Sequence, residues 1–150
     1  MEMLLKNGKY QQGEKIIKKL GVLITMPDLE IINPGTPVAG PYNPGIKIGN
    51  LLFISGQGPA QGALDIKEQT RTTLENIKKI VEAAGGKVAN LVNTTIFLKN
   101  ITDFGEMNKA YRSFFEKNGV SEKFPSRSTV EVSNLPLPTM LIEIGAIAIL

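Results

Sequence analysis

The sequence predicts an α+β fold in which two helices pack on one face of a mixed sheet. Helix-like and strand-like segments follow one another in the order strand, strand, helix, strand, helix, strand, strand. The last segment, Met140–Leu150, is apolar at both of its alternating sets of positions, which is typical of a strand covered on both faces. Because two helices cover only one face, we expect the other face to contact another subunit. The sequence therefore also predicts a homo-oligomer.

Two segments have the apolar spacing of amphipathic helices. The first begins at Asp65, a good N-cap residue with Glu68 three residues later, and Gly85-Gly86 ends it. The second begins at Asp103 and ends at Asn118-Gly119. Its inward positions are expected to hold Phe104, Met107, Tyr111, Phe114 and Phe115.

The strand-like segments are rich in β-branched and aromatic residues. Ile46 to Ser55 predicts a hairpin that turns at Gly49-Asn50, and Leu91 to Leu98 predicts a single strand. Two further strands are expected at Arg127 to Val132 and at Met140 to Leu150. We expect these last two strands to pair as an antiparallel hairpin with its turn near Pro136.

The first 39 residues differ in character from the rest of the chain. Tyr10–Leu20 has the pattern of a short amphipathic helix, and an extended, irregular segment rich in proline follows it. We interpret residues 1–39 as an N-terminal extension that docks on a domain formed by residues 40–150. The whole chain is expected to form a single globular domain.

The composition excludes several kinds of chemistry. The 150 residues include no Cys and no His, which removes thiol nucleophiles, Ser-His-Asp triads and the usual zinc ligands. The absence of Cys fits a reducing, cytoplasmic location, and no signal peptide or membrane span is expected. The net charge of +3 is mild, and 6% aromatic content offers little base stacking. These properties do not favour a nucleic-acid partner.

Glu143 is the one charged residue in the apolar last strand, so we expect it to have a partner or a raised pKa. In the predicted hairpin Thr129 lies about opposite Glu143, and Arg127 lies diagonally from it on the same face. A guanidinium binds a carboxylate ligand through two parallel hydrogen bonds, and a nearby carboxylate can hold or deprotonate a water. A structural salt bridge between Arg127 and Glu143 is the alternative.

Two other short segments are candidates for a site. Tyr42 lies between proline-containing turns in GPYNPG, which restricts its position. Ser55 ends a strand beside Gly56, where a ligand can approach the backbone closely. An ordinary turn and an ordinary strand end are the alternatives. The glycine-rich stretch GQGPAQG lacks the Lys-Ser/Thr of a phosphate loop, so no nucleotide site is expected.

Six segments together resemble the RidA/YjgF family, also known as the endoribonuclease L-PSP family, in order and spacing. The resemblance spans about Gly40 to Leu150, and FPSRSTVEVSNLP is its most specific part. The segments are GPY, IGNLLFISGQ, EQTRTTLENIKKIVEAAGG, VNTTIFLKNITDF, FPSRSTVEVSNLP and IEIGAIA.

The resemblance implies a chorismate-mutase-like α+β fold and a homotrimer with sites in the clefts between subunits. It implies hydrolysis of reactive 2-imino acids, such as 2-iminopropanoate and 2-iminobutanoate, to 2-keto acids and ammonia. No cofactor and no metal are expected. An endoribonuclease or translation inhibitor, and a noncatalytic trimer that binds a small ligand, are the alternatives.

The resemblance also implies roles for individual residues. Arg127 matches the arginine that binds the substrate carboxylate, and Glu143 matches the carboxylate that positions the attacking water. The other matching positions are the site side chains Tyr42 and Ser55 and the backbone at Gly56 and Thr129.

Overall fold

The computed structural model describes residues 27–35 and 38–150, which form a six-stranded sheet and two α-helices. The predicted α+β class is confirmed. The predicted helix Tyr10–Leu20 lies outside the described residues. In chain order the elements are β1 (Leu29–Ile32), β2 (Gly45–Ile48), β3 (Leu51–Gln57), α1 (Ile66–Ala83), β4 (Leu91–Leu98), α2 (Phe104–Lys117), β5 (Ser126–Glu131) and β6 (Ile142–Ile149).

The strands lie side by side in the order β1-β2-β3-β6-β4-β5. All neighbours are antiparallel except β4 and β5, which are parallel, so the sheet is mixed as predicted. The predicted hairpin between β5 and β6 is wrong, because β4 lies between these two strands. A parallel pair needs a long crossover, and α2 forms the crossover that returns the chain from β4 to β5.

The sheet begins earlier in the chain than the sequence indicates. The proline-rich segment is extended as expected, but its residues Leu29–Ile32 form an edge strand that pairs with β2. Pro27 and Pro34 lie just outside this strand, where the missing N–H groups cost no hydrogen bond of the sheet.

The predicted turn of the hairpin and the predicted ends of α1 are confirmed. Gly49 has φ +60° in the turn between β2 and β3, and Gly85 has φ +87° after α1. The Asp65 carboxylate accepts a hydrogen bond of 2.9 Å from the Glu68 N–H at the start of α1. Asp103 occupies the N-cap position of α2, but its side chain forms no capping bond.

The hydrophobic core lies between the two helices and one face of the sheet. α1 packs across β3 and β6, and α2 packs beside α1. Phe104 differs from the prediction, since it is 39% exposed at the start of α2. The largest fully buried side chains of this core include Leu52, Leu74, Ile77, Ile80, Ile96, Leu98, Met107, Phe115, Ile142 and Ile144.

The opposite face of the sheet is apolar and is not covered by any element of the described residues. The strand register places its side chains in continuous rows across the strands. This finding confirms that both faces of the sheet are apolar, while the oligomer stays a prediction. No helix among residues 27–35 and 38–150 is long and apolar enough to cross a membrane. The most exposed members of this open face are Leu29, Ile31, Leu51, Phe53, Val130 and Ile149.

Candidate active site

An open cleft of about 1280 Å³ lies at the end of the sheet where β3 ends and β6 begins. Its walls are a first cleft loop, residues 58–64, and a second cleft loop, residues 136–141. The cleft brings together four of the six site residues predicted from the sequence. These are Tyr42, Ser55, Gly56 and Glu143.

Ser55 and Gly56 lie in a β-bulge, where the register of β3 against β6 shifts between Ile54 and Gln57. Bulges are common beside active sites because they redirect side chains. The Ser55 hydroxyl donates a 2.7 Å hydrogen bond to the carbonyl of Asn43, which fixes its orientation. The hydroxyl oxygen retains lone pairs that can accept a hydrogen bond from a ligand.

Tyr42 lies beside this bulge, on the segment that precedes β2. Its side chain is partly exposed to solvent, and its hydroxyl accepts a 3.4 Å hydrogen bond from the backbone N–H of Ala39. The phenol proton is therefore available to a ligand in the cleft.

The Glu143 side chain packs directly over the backbone of Gly56. A Cβ atom on Gly56 would overlap the Glu143 carboxylate, at 2.8 Å from Cδ and 3.2 Å from Cγ. Among the described residues, Glu143 forms no hydrogen bond and no ion pair, and its burial raises the pKa of the carboxyl group. The raised pKa confirms the prediction for this residue. A half-buried carboxylate with a raised pKa is suited to accept a proton near neutral pH.

Arg127 lies on the other face of the sheet from Glu143, so the predicted pairing on one face is wrong. In the register of the strands Arg127 is level with Thr94, whereas Glu143 is level with Phe97. Thr94 and Phe97 are three residues apart on β4, and residues an odd number apart point to opposite faces. The error follows from the assumed hairpin, which omitted β4.

On the helix side of the sheet, Arg127 rests against aromatic rings of α2. Its guanidinium carbon lies 4.8 Å from the ring centre of Tyr111 and 5.7 Å from that of Phe104. The hydroxyl of Tyr111 shares a 2.9 Å hydrogen bond with the hydroxyl of Thr94, and burial raises the pKa of Tyr111. Because Arg127 forms no ion pair within residues 27–35 and 38–150, its donors can bind an anionic ligand.

Thr129 is two residues along β5 from Arg127 and therefore projects from the same face. Its hydroxyl oxygen is buried and has no hydrogen-bond partner among the described residues. Neither Thr129 nor Arg127 lines the cleft that contains Glu143.

Sequence reasoning missed Gln69 of α1, which contacts both walls of the cleft. Its amide nitrogen donates to the carbonyls of Ala63 at 3.1 Å and Thr139 at 2.9 Å. Its amide oxygen accepts a 2.7 Å hydrogen bond from the N–H of Leu141. The sequence does contain an indication that Gln69 is buried, because it lies three residues after Ile66 in the stripe of α1 that faces the core.

These features define an α+β domain with an open cleft at the end of its sheet, a half-buried carboxylate in that cleft and, on the edge strand, a guanidinium that forms no ion pair among the described residues. No group of three or more Asp or Glu side chains in the described part of the chain is placed to hold a metal ion. The chain belongs to the RidA/YjgF family. The model of this family, described as endoribonuclease L-PSP, matches residues 34–150.

Related sequences extend over most of the chain. A 2-iminobutanoate/2-iminopropanoate deaminase of Salmonella typhimurium is 44% identical over 125 residues, which cover 79% of this chain and 95% of the relative. A RutC family protein of Pyrococcus horikoshii is 48% identical over 115 residues, which cover 73% and 86%. The family predicted from the sequence is therefore confirmed.

Solved structures agree with the fold. The YjgF gene product of Escherichia coli superposes with a TM-score of 0.74 at 41% identity, over 80% of this chain and 98% of that protein. TdcF of E. coli, solved with bound serine, superposes with a TM-score of 0.74 at 37% identity, over 81% and 98%.

Proposed function

We propose that this protein hydrolyses 2-imino acids, such as 2-iminopropanoate and 2-iminobutanoate, to 2-keto acids and ammonia. The observation that carries the proposal is the Glu143 carboxyl group, which has a raised pKa and lies over Gly56 in a cleft shared with Tyr42 and Ser55. The deaminase name of a relative that is 44% identical over 95% of its own length supports the same reaction.

In the proposed reaction Glu143 accepts a proton from a water molecule whose oxygen adds to the imine carbon. The imine nitrogen takes up a proton from solvent, and the product of this step is a carbinolamine. Protonated Glu143 then gives its proton to the amine nitrogen, the C–N bond breaks and ammonia leaves. The hydroxyl-bearing carbon becomes a carbonyl as its hydroxyl proton returns to solvent. Ser55 and Tyr42 orient the substrate and the water. General-base help of this kind contributes about 10²–10⁴-fold.

We infer that Arg127 binds the substrate carboxylate at a site completed by a second copy of the chain. Within one chain the sheet separates Arg127 from Glu143, while both groups are needed on the same small substrate. The open apolar face offers a surface through which copies can associate. The arrangement proposed is a homotrimer in which Arg127 and Thr129 of one subunit face the cleft of the next subunit.

The first experiment measures imine hydrolysis. An amino-acid oxidase generates the imines from alanine or 2-aminobutyrate, and semicarbazide traps the imine that survives. We expect the wild-type protein to lower the amount of trapped imine, whereas the Arg127→Ala variant should leave it at the level of a reaction without protein. Saturable ligand binding by a folded wild-type protein without hydrolysis would instead support the noncatalytic binding trimer.

A second experiment tests whether the site is shared between copies. Arg127→Ala and Glu143→Gln should each be inactive, but random mixing of the two in one oligomer restores about one quarter of the sites if each site uses two chains. The control mixes Glu143→Gln with a chain that carries both substitutions, and it should stay inactive. Mixed oligomers without regained activity would show that the site does not combine Arg127 and Glu143 from different chains.

The description of the family model favours endoribonuclease activity as a second candidate. The chain has no His for the proton transfers that many ribonucleases use. RNA cleavage that is lost in both Arg127→Ala and Glu143→Gln would support this candidate. Cleavage that persists in both variants would assign it to a contaminating nuclease.

A further inference from the structure

α1 presents a polar stripe to the first cleft loop. The stripe consists of Gln69, Thr72 and Asn76, which lie three and four residues apart and so share one side of the helix. The Thr72 hydroxyl accepts a 3.1 Å hydrogen bond from the N–H of Ala60, and the Asn76 amide donates one of 3.1 Å to the carbonyl of Gly58. Side chains of α1 therefore hold the backbone of a loop that has no regular secondary structure.

Among the members of this stripe, Gln69 alone reaches both cleft loops. It is 2% exposed, and its amide uses both N–H donors and its oxygen acceptor on backbone groups. One partner, Ala63, belongs to the first cleft loop, while Thr139 and Leu141 belong to the second. These hydrogen bonds are part-buried, so each backbone group would lose its side-chain partner if the amide were absent, at a cost in stability.

The bond to Leu141 connects Gln69 to the base of the proposed reaction. Leu141 immediately precedes β6 and is two residues before Glu143, so its backbone determines where the Glu143 side chain leaves the strand. The Glu143 carboxylate must fit against Gly56, with no space for a Cβ atom there. A change in the spacing of the two loops would therefore move the carboxylate relative to a substrate in the cleft.

We infer that Gln69 is a positioning residue that sets the spacing of the two cleft loops and thereby the location of the Glu143 carboxylate. This inference rests on the proposed function. Gln69 does not take part in the chemistry, since its amide groups are all bonded to backbone.

Gln69→Glu tests the inference with almost no change in size. The new carboxylate can still accept from Leu141, but it places an acceptor against the carbonyls of Ala63 and Thr139. Gln69→Asn is a second variant, in which the amide is one methylene too short to reach both loops. The matched control is Thr70→Val, because the fully buried Thr70 hydroxyl donates only to Ile66 within α1.

We expect kcat to fall about tenfold to a hundredfold in both Gln69 variants, with a smaller change in KM. The acid limb of the pH profile should move to lower pH. Burial raises the pKa of Glu143, and a displaced carboxyl group is better solvated, so its pKa should fall toward the ordinary value. Thr70→Val should lower the melting temperature while kcat and the acid limb stay at wild-type values.

Wild-type kcat and an unchanged acid limb in folded Gln69→Asn or Gln69→Glu would overturn the inference. Amide hydrogen exchange gives a reading that does not depend on activity. Exchange should become faster in both cleft loops of the Gln69 variants and stay unchanged there in Thr70→Val. If the wild type hydrolyses no imine, the proposed function fails, and unchanged exchange in the Gln69 variants would separately refute the coupling of the loops.

Discussion

A methyl group on Gly56 would occupy space that the Glu143 carboxylate now fills. The added Cβ would lie 2.8 Å from Cδ of Glu143, whereas ordinary van der Waals contact begins at about 3.4 Å. The carboxyl carbon must therefore move by about 0.6 Å, and the near oxygen must move farther. Because a misplacement of about 1 Å can cost about 100-fold in rate, we expect Gly56→Ala to lower kcat for imine hydrolysis by about 100-fold.

The matched control is Gly145→Ala, two residues after Glu143 on the same strand. A Cβ there would meet its nearest neighbour, the carbonyl oxygen of Ile54, at 3.7 Å, so no atom has to move. The assay is semicarbazide trapping of the surviving imine, with thermal unfolding of each variant measured in parallel. Wild-type kcat in a folded Gly56→Ala protein would refute the claim that the position of the carboxylate determines the rate.

Three further perturbations have defined outcomes. Burial raises the pKa of Glu143 above its ordinary value of 4.5, and the base must be ionised, so kcat/KM should fall as the pH drops through that raised pKa. A profile without this acid limb would contradict the role of Glu143. Tyr111→Leu removes the aromatic ring that contacts the Arg127 guanidinium, a cation–π interaction of about 0.5–2 kcal/mol. The substitution should raise KM about 2- to 30-fold with little change in kcat. An unchanged KM would show that the ring does not orient the guanidinium. Gly45→Ala places a Cβ 2.9 Å from an isoleucine of α1 and should lower the free energy of unfolding by about 1–3 kcal/mol in urea titrations. Gly105→Ala, which meets no atom within 4 Å, should not lower it.

Local features of the fold could be predicted from the sequence, because neighbouring residues determine them. The cap at Asp65, the turn at Gly49 and the strand Leu91–Leu98 all agree with the structure. The pairing of β5 could not be predicted in the same way. It depends on β4, which is separated from β5 by a whole helix, and no local pattern distinguishes a hairpin from a crossover here.

The sequence identified Glu143 as a candidate site residue, but it did not give the position of Glu143 relative to Arg127. Glu143 was recognised because a carboxylate in an apolar strand needs an explanation, and the structure places it in the cleft. Its relation to Arg127 was wrong, since facing within a sheet depends on the register of every intervening strand. Gln69 was missed because glutamine is usually exposed on helices, and only its place in the buried stripe could have indicated its role.

The association proposed through the open apolar face would make the stability of this protein depend on its concentration. Association through that face is part of the proposed trimer, and mass action then links folding to the number of chains per volume. The apparent melting temperature should rise as the protein is concentrated. Dilution should lower activity per chain and stability together. In the proposed trimer each chain that dissociates removes Arg127 from one site and Glu143 from another. A cell that makes little of this protein would therefore have disproportionately little of its activity.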